Sequence, residues 1–574
     1  MACGLLAGVG LAVAPALPVV RSSVGTDAKS LGWAALVAGL AALLVPAVAA
    51  LVAATRRFAL AGGILVGGGV VSAPMLMLDV AMLRAPIDAN RFELFRPLTA
   101  SPLSPAVGAY LVLGAHLLAV VAAILGAMVI ARAALGDGYG HSVRQDLAGR
   151  ATIGRAGPAV TGLALLFATV WGVCLFFPAW TSSDSIIVVA PLVTAGILIF
   201  AATVALAVSA CAVVAGALAA TSPEVTAGAI GGAGVTALGI SGSRLAAGVC
   251  DDGLRVGPAT VIATVAAALL VVTAVALLRI VAAREASDAA PSMQASGDRG
   301  SPLVGADVAR WHRAAGIAGV ITALLVGVGA LLPVLTAPEG HELPQIYATR
   351  LAIVGAAMLL VPSIFLFLSE FAATVRPAMG PILLAIVLVA AGVAQAAVSG
   401  TRIPGVGFGL GTVVTVLGVL AAVATGLVVW CAGSAERDDV DRSAEPTVQR
   451  TASILGVAAA VAAALALALP LYVGPEFDAT SFALPWGFDT WAQALLAAGI
   501  VVVATVAPRS RPTRGAAMLI GAAAASAVYL LGWPLTIDRI ADGAQIGPAV
   551  PSALVAIGLL VAEAVVVVRS GKSA

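Results

Sequence analysis

Apolar stretches of about twenty residues follow one another along the chain, separated by short polar interruptions. A helix crosses the hydrocarbon core of a bilayer with about 20 such residues. That length predicts sixteen spanning segments: 4–20, 32–54, 60–80, 106–131, 158–180, 191–219, 225–241, 257–280, 314–336, 348–373, 379–398, 409–432, 452–473, 490–507, 515–533 and 548–568. The runs are too long for barrel strands and show no period-two alternation, so helices are the expected spanning form. Segment 225–241 is short and rich in glycine (Gly228, Gly231, Gly232, Gly234, Gly239). Spacing of that kind lets helices approach closely; a functional break is the other reading.

The interruptions repeat. A proline closes the first apolar run at Leu17-Pro18, Phe177-Pro178, Leu332-Pro333 and Leu469-Pro470. An arginine follows each after 73, 66, 69 and 69 residues: Arg91, Arg244, Arg402 and Arg539. Two of these sit in twin stretches, Ser241-Gly242-Ser243-Arg244 and Ser399-Gly400-Thr401-Arg402, read as loops after the third segment. Leu43-Leu44-Val45-Pro46 recurs as Leu359-Leu360-Val361-Pro362, and Val256-Gly257-Pro258-Ala259 as Ile546-Gly547-Pro548-Ala549. The pattern predicts four four-helix repeats, 1–150, 151–310, 311–450 and 451–574. The second ends in a polar linker from Arg284 to Gly305. An even number of helices per repeat makes the copies parallel, which disfavours an inverted-repeat transporter.

Composition supports a polytopic membrane protein: 574 residues, 61% hydrophobic and 10% charged, with mean hydropathy +1.09. Soluble domains carry about 25% charge. The expected fold class is therefore an all-α integral membrane protein. Segment 4–20 lacks a positive flank and is read as a retained helix rather than a signal peptide. Of the 30 basic residues, 20 fall in loops on the side of the termini, which places both termini in the cytoplasm. Arginine dominates over lysine, and Ala, Val, Leu and Gly dominate the rest, a bias of GC-rich bacterial coding. The predicted location is the bacterial inner membrane. No loop has room for a nucleotide-binding or catalytic domain, and five scattered cysteines form no CxxC pair.

Candidate chemistry is sparse. His116 lies about ten residues into its segment, near 15 Å deep; it is either a proton relay or substrate contact, or a neutral histidine bonded to a neighbouring helix. Glu563 lies in the inner half of the last segment, either functional or paired with a basic group. Gln395 reads as a bond between helices. Asp79 and Glu370 fall toward segment ends and read as interfacial. Arg91, Arg244, Arg402 and Arg539 form a patterned outer set. Each is a partner for acids in its repeat's first outer loop (Asp27; Asp184; Glu339 and Glu342; Glu476 and Asp478) or part of a basic ring for an anion. No phosphate-loop, zincin or nucleophile-elbow motif occurs, so no enzyme activity, cofactor or metal is expected. The sequence reads as a permease, a transporter or flippase of an anionic or lipid-linked envelope component. The alternative is a non-transporting scaffold for an envelope-biogenesis complex, and an integral membrane transferase ranks third. Expected partners are membrane lipids and another membrane protein, with no nucleic acid and no nucleotide.

Overall fold

The computed structural model describes residues 1–22, 27–29, 32–84, 86, 103–137, 152, 156–182, 196–220, 222–250, 254–288, 306–338, 343–367, 369–438, 450–474, 487–540 and 544–570. Among these, fourteen helices are long and apolar enough to cross a membrane, and two shorter apolar helices, Ala2–Ala16 and Ala159–Cys174, accompany them. The protein is a multi-pass, all-α membrane protein. Its contacts divide into two compact units, Met1–Gly297 and Asp298–Ala574.

The first unit contains α1 (Ala2–Val13), α2 (Trp33–Ala54), α3 (Phe58–Ser72), α4 (Met75–Arg84), α5 (Val107–Asp137), α6 (Pro158–Cys174), α7 (Ile197–Ala219), α8 (Pro223–Cys250) and α9 (Pro258–Asp288). Its core gathers Trp171, Phe200, Leu218, Ile230, Leu270 and Leu277, each under 2% exposed. Helix α8 is the hub, packing on α2, α3 and α9. Its glycines serve these neighbours separately. A Cβ at Gly232 would lie 2.1 Å from the Ile64 carbonyl of α3, one at Gly234 would lie 3.1 Å from the Val271 nitrogen of α9, and one at Gly239 would lie 2.6 Å from Ala41 of α2. The glycine-rich segment is thus an unbroken helix that packs tightly, without a functional break.

The second unit contains α10 (Ala306–Leu331), α11 (Ala348–Phe365), α12 (Ser369–Val375), α13 (Met379–Gly400), α14 (Leu410–Asp438), α15 (Arg450–Ala468), α16 (Phe488–Val506), α17 (Pro512–Ile540) and α18 (Ala549–Ser570). Leu359, Leu366, Met379, Ile386, Leu496 and Ile500 are fully buried in it. Outward-facing stripes are apolar. Leu410, Val413, Leu417, Leu420, Val423 and Leu427 of α14 are all exposed and follow helical spacing, as lipid-facing side chains do.

One arrangement occurs four times. After each of Pro18, Pro178, Pro333 and Pro470 the chain pairs antiparallel with the residues that precede a later helix. The pairs are β1 (Pro18–Ser22) with β3 (Leu103–Pro105), β4 (Trp180–Ser182) with β5 (Leu254–Val256), β6 (Leu335–Thr336) with β7 (Gly407–Phe408) and β8 (Tyr472–Val473) with β9 (Gln545–Ile546). In the first sheet β2 (Asp27–Lys29) adds a third strand. The residue after each proline accepts the same backbone bond: Ala106 N–H to Val19 O at 2.9 Å, Gly257 to Ala179 at 2.9 Å, Gly409 to Val334 at 2.8 Å and Gly547 to Leu471 at 2.8 Å. Glycine is required at two of these donors by close approach. A Cβ at Gly409 would lie 2.1 Å from Pro333 O, and one at Gly547 would lie 2.2 Å from Pro470 O.

Several expected segments are redrawn. Pro74 lacks an N–H to continue a helix, so 60–80 becomes α3 and α4 with a turn between them. Segment 348–373 likewise divides into α11 and α12. The stretch Ser241–Arg244 is no loop: it lies inside α8, where the Ser241 and Ser243 hydroxyls donate to the carbonyls of Ala237 and Ile240 at 2.9 Å each. Its twin does end a helix, at Gly400. The polar linker begins later than expected, because Arg284–Asp288 continues α9 through good helix formers. Its last part, 289–305, lies outside the described residues.

Candidate functional site

Pro46 and Pro362 stand inside α2 and α11. Each removes a backbone donor and leaves a carbonyl four residues earlier without its helical partner. At Pro46 the freed carbonyl is that of Ala42, and Gly8 of α1 comes so close that a Cβ there would lie 2.9 Å from it. Helix α1 therefore lies along α2, and between them, α3, α5 and α8 a cavity of about 770 Å³ remains. Small side chains make its walls: Gly4, Ala7 and Gly8 of α1, Ala38 and Ala41 of α2, Gly68 and Gly69 of α3, and Ala119 and Ala122 of α5. From Val112 to Ala122 the wall runs ten residues along α5, about 15 Å at 1.5 Å per residue.

Five polar side chains interrupt this apolar wall: Ser72, His116, Thr236, Ser243 and Arg244. The hydroxyls are turned back on their own helices: Ser72 Oγ donates to Gly68 O at 2.8 Å, Thr236 Oγ1 to Gly232 O at 3.0 Å and Ser243 Oγ to Ile240 O at 2.9 Å. His116 and Arg244 are the groups with chemistry to offer. His116 is 7% exposed, and its Nδ1 lies 2.7 Å from Oδ2 of Asp79, itself 8% exposed. The break at Pro74 sets α4 against α5 and brings the two together. Asp79 is therefore not interfacial, as its place near a segment end suggested. It is buried because it has a partner, and an unpaired carboxylate there would cost several kcal/mol. With Nδ1 held by the carboxylate, Nε2 is the ring nitrogen left for the cavity that His116 lines. Such a pair can hold or pass one proton in an apolar setting. The Arg244 backbone is fixed by its carbonyl, which accepts from Trp180 Nε1 at 2.7 Å.

The other candidates disperse. Glu563 is fully buried in α18, in the other unit from His116, and neither of its oxygens has a hydrogen-bond partner. Gly456 of α15 is its close neighbour, since a Cβ there would lie 2.9 Å from Oε1. The expected basic partner is absent among the described residues. Gln395 Oε1 accepts from Phe488 N–H at 3.1 Å, joining α13 to the start of α16. Arg402 is exposed just beyond α13, whereas Arg244 lies within α8, so the two are not equivalent in place. Arg539 lies in the last turn of α17. Arg91, Asp184, Glu339, Glu342, Glu476 and Asp478 lie outside the described residues; Asp27 belongs to β2 and Glu370 to α12.

A second charged cluster escaped the sequence reading. Glu436, 3% exposed at the end of α14, takes three partners in the second unit. His312 Nε2 lies 2.7 Å from Oε1, Arg376 donates from Nε to Oε1 at 2.7 Å and from Nη2 to Oε2 at 3.1 Å, and Arg514 Nη2 lies 2.8 Å from Oε2. Four elements of the unit meet at this one carboxylate. His312 and Glu436 both lie beyond the ends of the apolar runs that defined the segments, where helices continue without an apolar signal. Among the described residues no three His, Cys, Asp or Glu side chains converge as a metal site. Comparison with known proteins finds no matching family, no matching curated protein and no matching solved structure.

Proposed function

We propose that this protein is a permease-like protein of the bacterial inner membrane that takes an anionic or lipid-linked envelope component into the cavity of its first unit. The carrying observation is an apolar cavity of about 770 Å³ whose walls are interrupted by His116 and Arg244. An acyl or isoprenoid chain fits walls made of Ala and Gly. A guanidinium suits the phosphate or carboxylate of a headgroup. The His116–Asp79 pair gives the site a second polar feature beside Arg244. The proposal includes four parallel four-helix repeats, supported by the four strand pairs and their matching backbone bonds. It places both termini in the cytoplasm, supported by the distribution of Lys and Arg.

The test is purification of the full chain in native nanodiscs, with mass spectrometry of everything that copurifies. An anionic or lipid-linked species enriched in the wild type and depleted in Arg244→Gln is the expected result. A stoichiometric protein partner, with no lipid that depends on Arg244, would overturn the reading in favour of the scaffold.

A further inference from the structure

On α18 the buried residues Ala556, Leu560, Glu563, Ala564 and Val567 follow helical spacing, so a carboxyl stands in an otherwise apolar stripe. Glu563 is 0% exposed, and neither of its oxygens has a hydrogen-bond partner. An ionised carboxylate in such surroundings is costly unless a cation or several donors meet it. No donor does. An intramembrane acid of this kind is a functional group by default.

The helices packed against α18 are α15 and α17. Helix α15 buries Ala452, Gly456, Ala459 and Ala463, which bring neither a side-chain donor nor a charge. Its Arg450 comes six residues before Gly456, about 9 Å along the axis. On α17 the Ser526 hydroxyl donates to Ala522 O at 2.9 Å, and the Tyr529 phenol donates to Ala466 O at 3.1 Å. Ala466 is ten residues, about 15 Å, along α15 from Gly456. Arg514 is held by Glu436 at 2.8 Å, while Asp538 and Arg539 lie in the last turn of α17. Near the end of α16, Arg509 Nη1 donates to Thr505 O at 2.8 Å. Asp489 lies at the opposite end of α16. Arg569 follows Glu563 by six residues on α18 itself, again about 9 Å. None of these groups bonds Glu563.

What borders Glu563 is a carbonyl. A Cβ at Gly456 would lie 2.3 Å from Ala504 O and 2.9 Å from Glu563 Oε1, so both oxygens flank the one place where α15 carries no side chain. The regular helical donor to Ala504 O would be the nitrogen of residue 508, but Pro508 has no N–H. The Ala507 N–H goes to Val503 O instead. A carbonyl and an ionised carboxylate are both acceptors only. They can bond each other only when the carboxyl carries a hydrogen. We propose that Glu563 is a proton-binding site, whose carboxyl is a neutral acid at neutral pH and donates its hydrogen to the Ala504 carbonyl. The proton removes the buried charge and supplies the donor that both oxygens need. The inference stands apart from the cavity of the first unit.

The test is infrared difference spectroscopy of the purified full chain at neutral pH, in a maltoside detergent that has no ester carbonyl of its own. A protonated carboxyl shows a C=O stretch that shifts in deuterium oxide and is separate from the carboxylate bands. The proposal expects such an acid band in the wild type and its loss in Glu563→Gln, which keeps the shape of the side chain. Labelling glutamate with carbon-13 should shift the same band. That measurement needs no variant, so it decides the matter even where Glu563→Gln fails to fold. It also separates Glu563 from Asp79, which bonds His116. The other buried glutamate, Glu436, faces arginines at 2.7 and 2.8 Å. The band should persist when sodium replaces choline in the buffer. An acid band that no glutamate label shifts, or that survives in Glu563→Gln, overturns the proposal. A band lost on adding sodium overturns it in favour of a metal-cation site at the same oxygens.

Discussion

Replacing Gly232 by alanine tests the backbone contact between α3 and α8. The added Cβ would lie 2.1 Å from Ile64 O, where ordinary contact begins near 3.4 Å, so the helices must part or rotate by about 1.3 Å at that level. Gly67 faces the same seam from the other side, its Cβ 1.9 Å from Ala229 O. A gap of 0.5–1 Å forfeits roughly a quarter to a half of each dispersion well along the seam, and overpacking costs about 1–3 kcal/mol. Each single variant is therefore expected to lose about 2–3 kcal/mol, at the upper end of that range, because the obstacle is backbone and cannot rotate away. The pair Gly67→Ala with Gly232→Ala should cost well under the sum, since one separation serves both. Gly114→Ala is the control. Nothing lies within 4 Å of its Cβ, so the change should be neutral to about 1 kcal/mol stabilising. Reversible unfolding in mixed micelles with increasing dodecyl sulfate reads all four. Equal stability of the Gly232→Ala and Gly114→Ala proteins, or strict additivity of the pair, would refute the contact.

The same unfolding assay addresses the buried charges. His116→Ala should destabilise by about 3–5 kcal/mol because it strands the Asp79 carboxylate, and adding Asp79→Leu should recover part of that loss; a double variant no more stable than His116→Ala contradicts the pairing. Glu436→Ala should cost a similar amount by leaving Arg376 and Arg514 without their counter-charge; full stability in that variant would show that the cluster contributes nothing. Burial raises the Tyr472 phenol above its ordinary value of 10.0, against a lowering by its bond to Thr536. Its folded pKa lies above the unfolded one, so its stabilisation is complete below about pH 10 and is lost as pH rises through the folded value. Spectrophotometric titration should lose a tyrosine component that titrates above the ordinary value in Tyr472→Phe, and an unchanged curve would refute the assignment.

The membrane class and the position of most helices were legible because about twenty apolar residues in a row leave few other structures. Their ends were not. Segment 225–241 becomes Pro223–Cys250 and 409–432 becomes Leu410–Asp438, since backbone hydrogen bonds continue a helix past the last apolar residue. That hidden margin holds Arg244 and Glu436. The strand pairs were invisible because two to five residues are too few to show alternation. Asp79 and His116 are 37 residues apart, and nothing in either segment marks the other as its partner. The prolines and the Ile546-Gly547 echo were read as punctuation, while the structure makes them the two sides of a recurring contact.

That contact also orders events in time. Val19 and Ala106 are 87 residues apart, and Leu471 and Gly547 are 76. At roughly 5–20 residues per second of synthesis, the strand behind each first helix waits several seconds before its partner leaves the ribosome. During that interval its backbone groups lack this later strand to pair with. Pairing then waits for the later helix, so the finished strand pair is a record that the chain between its two sides has been made.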